Sequence, residues 1–200
     1  MKPTKTLPEN YTLAWQVDMK KDTRLNWSLQ IAGLLWFVVA GWALWQVVVF
    51  LRPDYPAEIG SETIGGTLLV LLLLVLLVIF VTLFVHELVH GLCFWLFCRE
   101  RPVFGIGVGY AYAAAPAWFF PKFRYLVIGL SPLITITIAG LAAIAIVPTT
   151  WVAIVFLAVV FNAGGAIGDM YVCMRIGCES RDVLVRDNGD RFEIYRPRVE

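Results

Sequence analysis

The sequence predicts an all-α membrane protein with four transmembrane helices, a re-entrant extended or β segment after the second helix, and a short cytoplasmic C-terminal β-hairpin. Three observations support this fold class. The chain is 60% hydrophobic and its mean hydropathy is +0.76, well above the range of a soluble domain. Four long apolar segments each exceed the ~20 residues that cross a hydrocarbon core. The polar tail carries Asn188-Gly189 between alternating residues, which is typical of a hairpin with a type I′ turn.

The four apolar segments are the candidate membrane spans. They cover residues 28–51, 64–97, 125–147 and 149–176, and a polar tail at 177–200 follows them. The second segment is longer than one perpendicular crossing requires, so we expect it to tilt or to extend beyond the bilayer. The whole chain, residues 1–200, is therefore predicted to form a single integral membrane domain.

The distribution of Lys and Arg predicts the orientation of these spans. Basic residues crowd the N-terminus, the connection after the second span and the C-terminal tail, whereas the connection at 52–62 is mainly acidic. Because cytoplasmic loops carry the excess of Lys and Arg, both termini are predicted to be cytoplasmic. The polar N-terminus lacks the features of a signal peptide, so we expect a multi-pass protein of a prokaryotic cytoplasmic membrane. The net charge of +1 does not indicate nucleic-acid binding, and none is expected.

Both histidines of the chain lie in the second span, within "FVHELVHGLC". His86 and His90 are four residues apart and share one face of a helix, with Glu87 beside the first of them. This H-E-x-x-H pattern is typical of zinc hydrolases, in which the histidines bind the metal and the glutamate acts as a base on a metal-bound water. So short a motif also arises by chance, but ionisable side chains in an apolar span are costly and usually functional. The sequence therefore predicts one zinc per chain, with Glu87 as the catalytic residue.

A catalytic zinc usually has three protein ligands and one open position, so a third ligand is expected. Asp169 is the other acid well inside an apolar span. Counting 1.5 Å per residue from Gly66 and from Thr150 places His86 and Asp169 at the same depth, ~30 Å from the outer side. Cys93 is the alternative, but three ligands from one straight helix would not close a tetrahedron comfortably. We predict Asp169 as the ligand and the four cysteines as reduced thiols.

Two further segments are candidates for the surroundings of the metal. Asn162 shares a helix face with Asp169, where it would contact substrate, support a metal ligand or simply bridge packed helices. After the second span, glycines alternate with apolar residues in "FGIGVGY", a period of two that is typical of extended backbone. Such backbone is tolerated at membrane depth where it lines a cavity, so Gly107 and Gly109 are candidate substrate-binding positions. A plain surface loop is the alternative.

The order of these motifs resembles that of site-2-protease-like intramembrane zinc metalloproteases. The H-E-x-x-H helix is followed by a Gly-rich extended segment, by "GLSPLITIT" on the next helix and by "NAGGAIGD" on the last. More closely, most of the chain, including its "LPENY" start, resembles a small membrane family of zincin peptidases. The resemblance implies that His86, His90 and Asp169 bind zinc and that Glu87 serves as the base.

Two functions of different classes follow. The first is a zinc-dependent intramembrane or membrane-associated endopeptidase that hydrolyses peptide bonds of membrane proteins near the cytoplasmic leaflet. The alternative is a non-enzymatic, zinc-stabilised membrane scaffold or metal-binding protein, but a structural site would use four protein ligands and has no need of Glu87. A metal transporter would require further ionisable residues along its path, and the outer halves of the spans contain none. The expected partners are the lipid bilayer and a membrane-protein or peptide substrate, while the oligomeric state is left open.

Overall fold

A computed structural model of the chain describes residues 1–55 and 68–198, and most of these residues are helical. The helices are α1 Thr23–Leu51, α2 Leu68–Cys98, α3 Lys122–Ile146, α4 Thr149–Gly165 and α5 Ile167–Gly177. The strands are β1 Tyr11–Asp18, β2 Val103–Gly107, β3 Tyr110–Ala114, β4 Phe119–Pro121, β5 Leu184–Asp187 and β6 Arg191–Pro197. The connection predicted at 52–62 lies largely outside the described residues, and the start of the second span predicted at 64 lies outside them as well.

Among the described residues, α1, α2 and α3 are long and apolar enough to cross a membrane. The pair α4 and α5 is a fourth candidate if it forms one span, but it bends by 45° at its break. The chain is therefore consistent with a multi-pass membrane protein of three or four spans, and the predicted four-span topology stays a prediction. The first helix begins earlier than its apolar segment because Asp22 caps it, its carboxylate accepting the Leu25 N–H at 2.9 Å.

The outward faces of the long helices are apolar. Leu68, Phe50 and Trp42 are 83%, 81% and 68% exposed, and many other large apolar side chains of α1 and α2 are also exposed. A soluble protein rarely leaves so large an apolar surface in water. A lipid bilayer would cover it, which agrees with the span assignment.

The described chain divides into two compact units. The first comprises residues 1–32, 87–132 and 167–198, and its core contains Phe94, Phe120, Ile128, Ile176 and Ile194. The second comprises 33–55, 68–86 and 133–166, with a smaller core of Val48, Tyr55, Ile144 and Val152. The single domain predicted over residues 1–200 stays a prediction.

A four-stranded antiparallel sheet in the first unit joins the N-terminal segment to the C-terminal tail, in the order β1-β6-β5-β4. Strands β5 and β6 form the predicted C-terminal hairpin. The Asn188 N–H donates to the Arg191 carbonyl, so Gly189 and Asp190 make the two-residue loop. Of these two residues, only Gly189 has a positive φ, of 82°. The predicted type I′ turn is therefore wrong, because that turn requires positive φ at both positions, and the pattern fits type II′.

Asp187 links this turn to α3 through two hydrogen bonds. Its carboxylate accepts the Gly189 N–H at 2.8 Å and the Tyr125 hydroxyl at 2.6 Å. Burial raises the pKa of the Asp187 carboxyl to about 7, although both hydrogen bonds act to lower it. The hairpin is thus held by a buried polar pair and not by backbone pairing alone.

The Gly-rich segment after α2 forms an antiparallel hairpin of β2 and β3, paired from Val103 with Ala114 to Gly107 with Tyr110. The extended structure predicted there is confirmed. A Cβ atom at Gly107 would overlap the ring of Tyr110, its cross-strand neighbour, so the glycine lets the ring lie over the strand. Gly109 has a φ of 79° in the connecting loop, a conformation that favours glycine. The depth of the β2–β3 hairpin in a membrane stays a prediction.

Candidate metal centre

Both imidazoles of the H-E-x-x-H motif are buried on α2. His86 is 4% exposed and His90 is 6% exposed. They lie four residues apart on one continuous helix, so both rings project from the same face. Burying two imidazoles is favourable only when each finds a hydrogen-bond partner or a metal ion.

Each histidine ring has a hydrogen-bond acceptor at Nδ1. The His86 Nδ1–H donates to Oδ1 of Asn162 at 2.9 Å, and the His90 Nδ1–H donates to the Ile128 carbonyl at 3.0 Å. Because both partners are acceptors, each ring carries its proton on Nδ1. This leaves Nε2 of each neutral ring with the lone pair that a metal ion requires.

Asp169 completes a cluster with the two histidines. It lies in the first turn of α5, and its Oδ1 is 3.3 Å from Nε2 of His90. One ligand atom from each of His86, His90 and Asp169 lies within 4.8 Å of the others. Two imidazoles and one carboxylate are donors that zinc accepts, and three of them leave one coordination position open. The residue types and their spacing therefore fit a catalytic zinc.

Glu87 directly follows His86 and is half-buried. It is not a member of the three-residue cluster. A carboxylate beside the open position of a metal is suited to accept a proton from bound water. The role of general base stays a prediction for Glu87.

The remaining residues that the sequence singled out are Asn162, the cysteines and two glycines. Asn162 is 1% exposed and its amide oxygen contacts His86, which is the contact that support of a metal ligand requires, and that role stays a prediction. Cys93, the rival ligand, is outside the cluster and donates its S–H to Ser131 Oγ at 3.2 Å. All four cysteines are free thiols, as predicted. Gly107 and Gly109 shape the β2–β3 hairpin, and a contact with substrate stays a prediction for both.

The Ile128 carbonyl is a site group that the side-chain pattern did not predict. Every residue carries a carbonyl, and most carbonyls inside a helix accept a backbone N–H. Side-chain chemistry alone therefore does not distinguish Ile128 from its neighbours.

The apolar helices are consistent with a multi-pass membrane protein, and the cluster is a candidate metal centre. Residues 79–184, a little over half of the chain, match the family described as "putative zincin peptidase", and the chain belongs to that family. The matched range contains both histidines, Glu87 and Asp169. Neither a curated protein nor a solved structure matches the chain, so the resemblance to site-2 proteases rests on the sequence motifs.

Replacing Asn162 with alanine is expected to weaken zinc binding by about 10- to 100-fold, because His86 loses the group that fixes its ring and its tautomer. Asn162→Asp keeps an oxygen acceptor and should retain most of the affinity. The measurement is the zinc dissociation constant, obtained by competition with a chelator on detergent-purified protein. Equal affinities for the native protein and Asn162→Ala would show that the contact does not support the metal.

Proposed function

We propose that this protein is a zinc-dependent endopeptidase that hydrolyses peptide bonds of membrane proteins near the cytoplasmic leaflet. One observation carries the proposal: His86, His90 and Asp169 bring three zinc-type donors within 4.8 Å of one another, with Glu87 next in sequence to the first. The helix that carries the histidines is apolar enough to be a membrane span, and the helix that carries the aspartate qualifies when it is joined with α4 as one bent span. Membership of the zincin peptidase family supports the same reaction class.

The chemistry assigns a role to each residue. Zinc, when bound, would lower the pKa of its water and polarise the scissile carbonyl. His86 and His90 present Nε2 because their Nδ1–H groups are held by Asn162 and Ile128. Glu87 accepts the water proton and returns it to the leaving amine, acting first as a general base and then as a general acid. The Asp169 carboxylate contributes the negative charge of the ligand set.

The β2–β3 hairpin is the proposed place for the substrate. Its two-stranded sheet has an unpaired outer edge in β2 among the described residues. Ile106 and Val108, at its tip, are 88% and 81% exposed, so the tip is apolar. An extended peptide can add to such an edge through main-chain hydrogen bonds, next to Gly107 and Gly109.

Charge supports the orientation proposed for the site. Lys122 and Arg124 begin α3, and Arg99 and Arg101 follow α2, so the ends of both helices nearest the cluster are basic. The positive-inside rule then places these ends and both termini on the cytoplasmic side. The reaction would take place near the inner leaflet, where water reaches a site over a short distance.

The alternative is a non-enzymatic zinc-stabilised scaffold. A structural zinc site normally has four protein ligands, whereas the cluster has three donors and a neighbouring carboxylate that is not among them. This difference favours hydrolysis over a structural role.

The test is peptide hydrolysis by the protein reconstituted in lipid nanodiscs with zinc. A pool of synthetic peptides that covers transmembrane and juxtamembrane sequences is incubated with it, and mass spectrometry identifies new peptide termini. We expect cleavage that a zinc chelator abolishes and added zinc restores. The scaffold alternative predicts zinc binding without new termini, and cleavage that persists in the chelator would exclude a zinc peptidase.

A further inference from the structure

The third helix contains a proline where an α-helix normally has a backbone donor. Pro132 lies inside α3, which runs from Lys122 to Ile146. In a regular helix the N–H of residue 132 would donate to the carbonyl four residues earlier, that of Ile128. Proline has no N–H, so that carbonyl loses its intrahelical partner. A freed carbonyl in an apolar span needs another donor, because leaving it unsatisfied is costly.

The freed carbonyl is the one that holds His90. The His90 Nδ1–H donates to the Ile128 oxygen at 3.0 Å, and the Ser131 hydroxyl donates to the same oxygen at 2.7 Å. A carbonyl oxygen has two lone pairs, and these two hydrogen bonds account for both. Cys93 in turn donates its S–H to the Ser131 oxygen at 3.2 Å, which fixes the hydroxyl as a donor toward Ile128.

We propose that Pro132 and Ser131 are positioning residues of the metal centre. Pro132 removes a competing backbone donor, and the Ile128 carbonyl is then available to fix the ring of His90 with Nε2 directed to the ligand cluster. Ser131 occupies the second lone pair and leaves the first to the imidazole. The Ser-Pro pair in "GLSPLITIT" therefore has the role of keeping the Ile128 carbonyl available to His90. The inference concerns the proposed zinc site and rests on that part of the proposed function.

The proposed effect of Pro132 comes from its missing N–H and not from the shape of the proline ring. A bulky ring in a helix also bends it, and a bend alone could move Ile128. Two changes at position 132 separate these causes. Pro132→Ala restores the N–H and removes the ring. Replacement by lactic acid, the hydroxy-acid analogue of alanine, removes the ring but supplies an ester oxygen in place of the N–H.

The readout is the Nδ1–H of each histidine, observed by NMR on protein labelled with ¹⁵N-histidine in detergent micelles. The chain has two histidines, so His86 is an internal control on another acceptor. In Pro132→Ala, we expect faster solvent exchange of the His90 Nδ1–H and an unchanged His86 signal. The zinc dissociation constant should rise about 10- to 100-fold, the usual cost of losing such support. The lactic acid variant should behave like the native protein in both measurements.

Three outcomes would overturn the proposal. The first is that Pro132→Ala leaves both the His90 signal and the zinc affinity unchanged. The second is that the lactic acid variant behaves like Pro132→Ala, which would assign the effect to the ring. The third is that both histidines change together, which would assign Pro132 to the fold in general. Because the Nδ1–H is observed with or without zinc and needs no substrate, a failure of the peptidase assay is distinguishable from a failure here.

Discussion

Replacing Asp169 with alanine is expected to remove zinc from the protein. The native chain should contain one zinc per chain, because His86, His90 and Asp169 supply three donors of the right type within 4.8 Å. Without the carboxylate, two neutral imidazoles remain, and the divalent charge loses its one anionic ligand. Elemental analysis of detergent-purified protein measures this content directly, and circular dichroism shows whether the helices persist.

The matched control for Asp169→Ala is Glu87→Gln. It alters a carboxylate in the same region but outside the ligand cluster, so its zinc content should equal that of the native protein. Zinc that is retained in Asp169→Ala would mean that another group is the third ligand. Cys93 would then be the first to test, since it lies one turn beyond His90 on the same helix.

The cluster of His86, His90 and Asp169 could be predicted from sequence because ionisable side chains are rare in apolar spans. Two histidines and a glutamate inside α2, and one acid inside the last span, are conspicuous there and energetically costly without a function. Helical rise alone placed Asp169 at the depth of His86. The structure brings these two residues and His90 into one cluster, which hydropathy and spacing could suggest but not measure.

The supporting groups were harder to predict because their chemistry is not distinctive. An amide in a membrane helix can contact substrate, a ligand or another helix, so the sequence leaves three interpretations of Asn162, and the structure adds its contact with His86. The Ile128 carbonyl is backbone and has no residue-type signal. The indirect signal was Pro132, since a proline inside a helix marks a carbonyl four residues earlier that lacks its usual donor.

The hydropathy pattern also does not predict the break between α4 and α5. Residues 149–176 read as one apolar segment, yet the structure bends by 45° near Ala166. Gly164, Gly165 and Gly168 lower the local helix propensity, but glycines in membrane helices also serve close packing. A Cβ atom at Gly164 would crowd Phe37, whereas one at Gly168 would meet nothing within 4 Å. Local composition does not show whether a glycine weakens the helix or allows close packing. The neighbouring side chains in the structure show this.

Glu87→Gln is expected to abolish peptide hydrolysis while leaving zinc bound. Loss of a general acid–base group typically lowers the rate by about 10²- to 10⁴-fold. Glutamine keeps the shape of the side chain and its hydrogen-bonding oxygen but cannot take up a proton at neutral pH. The measurement is the rate of appearance of the cleavage products found with the zinc-loaded native protein in nanodiscs, taken together with zinc content.

Glu87→Asp separates the chemistry of the carboxylate from its position. It keeps the proton acceptor but withdraws it by one methylene group, so it should retain zinc and keep more activity than Glu87→Gln. A variant that retains zinc and loses only cleavage would assign Glu87 to the reaction and exclude the scaffold alternative. If Glu87→Gln instead cleaves peptides at the native rate, the base must be another group. If it loses zinc, Glu87 belongs to the ligand set, and the open coordination position on which the peptidase proposal depends would be filled by protein.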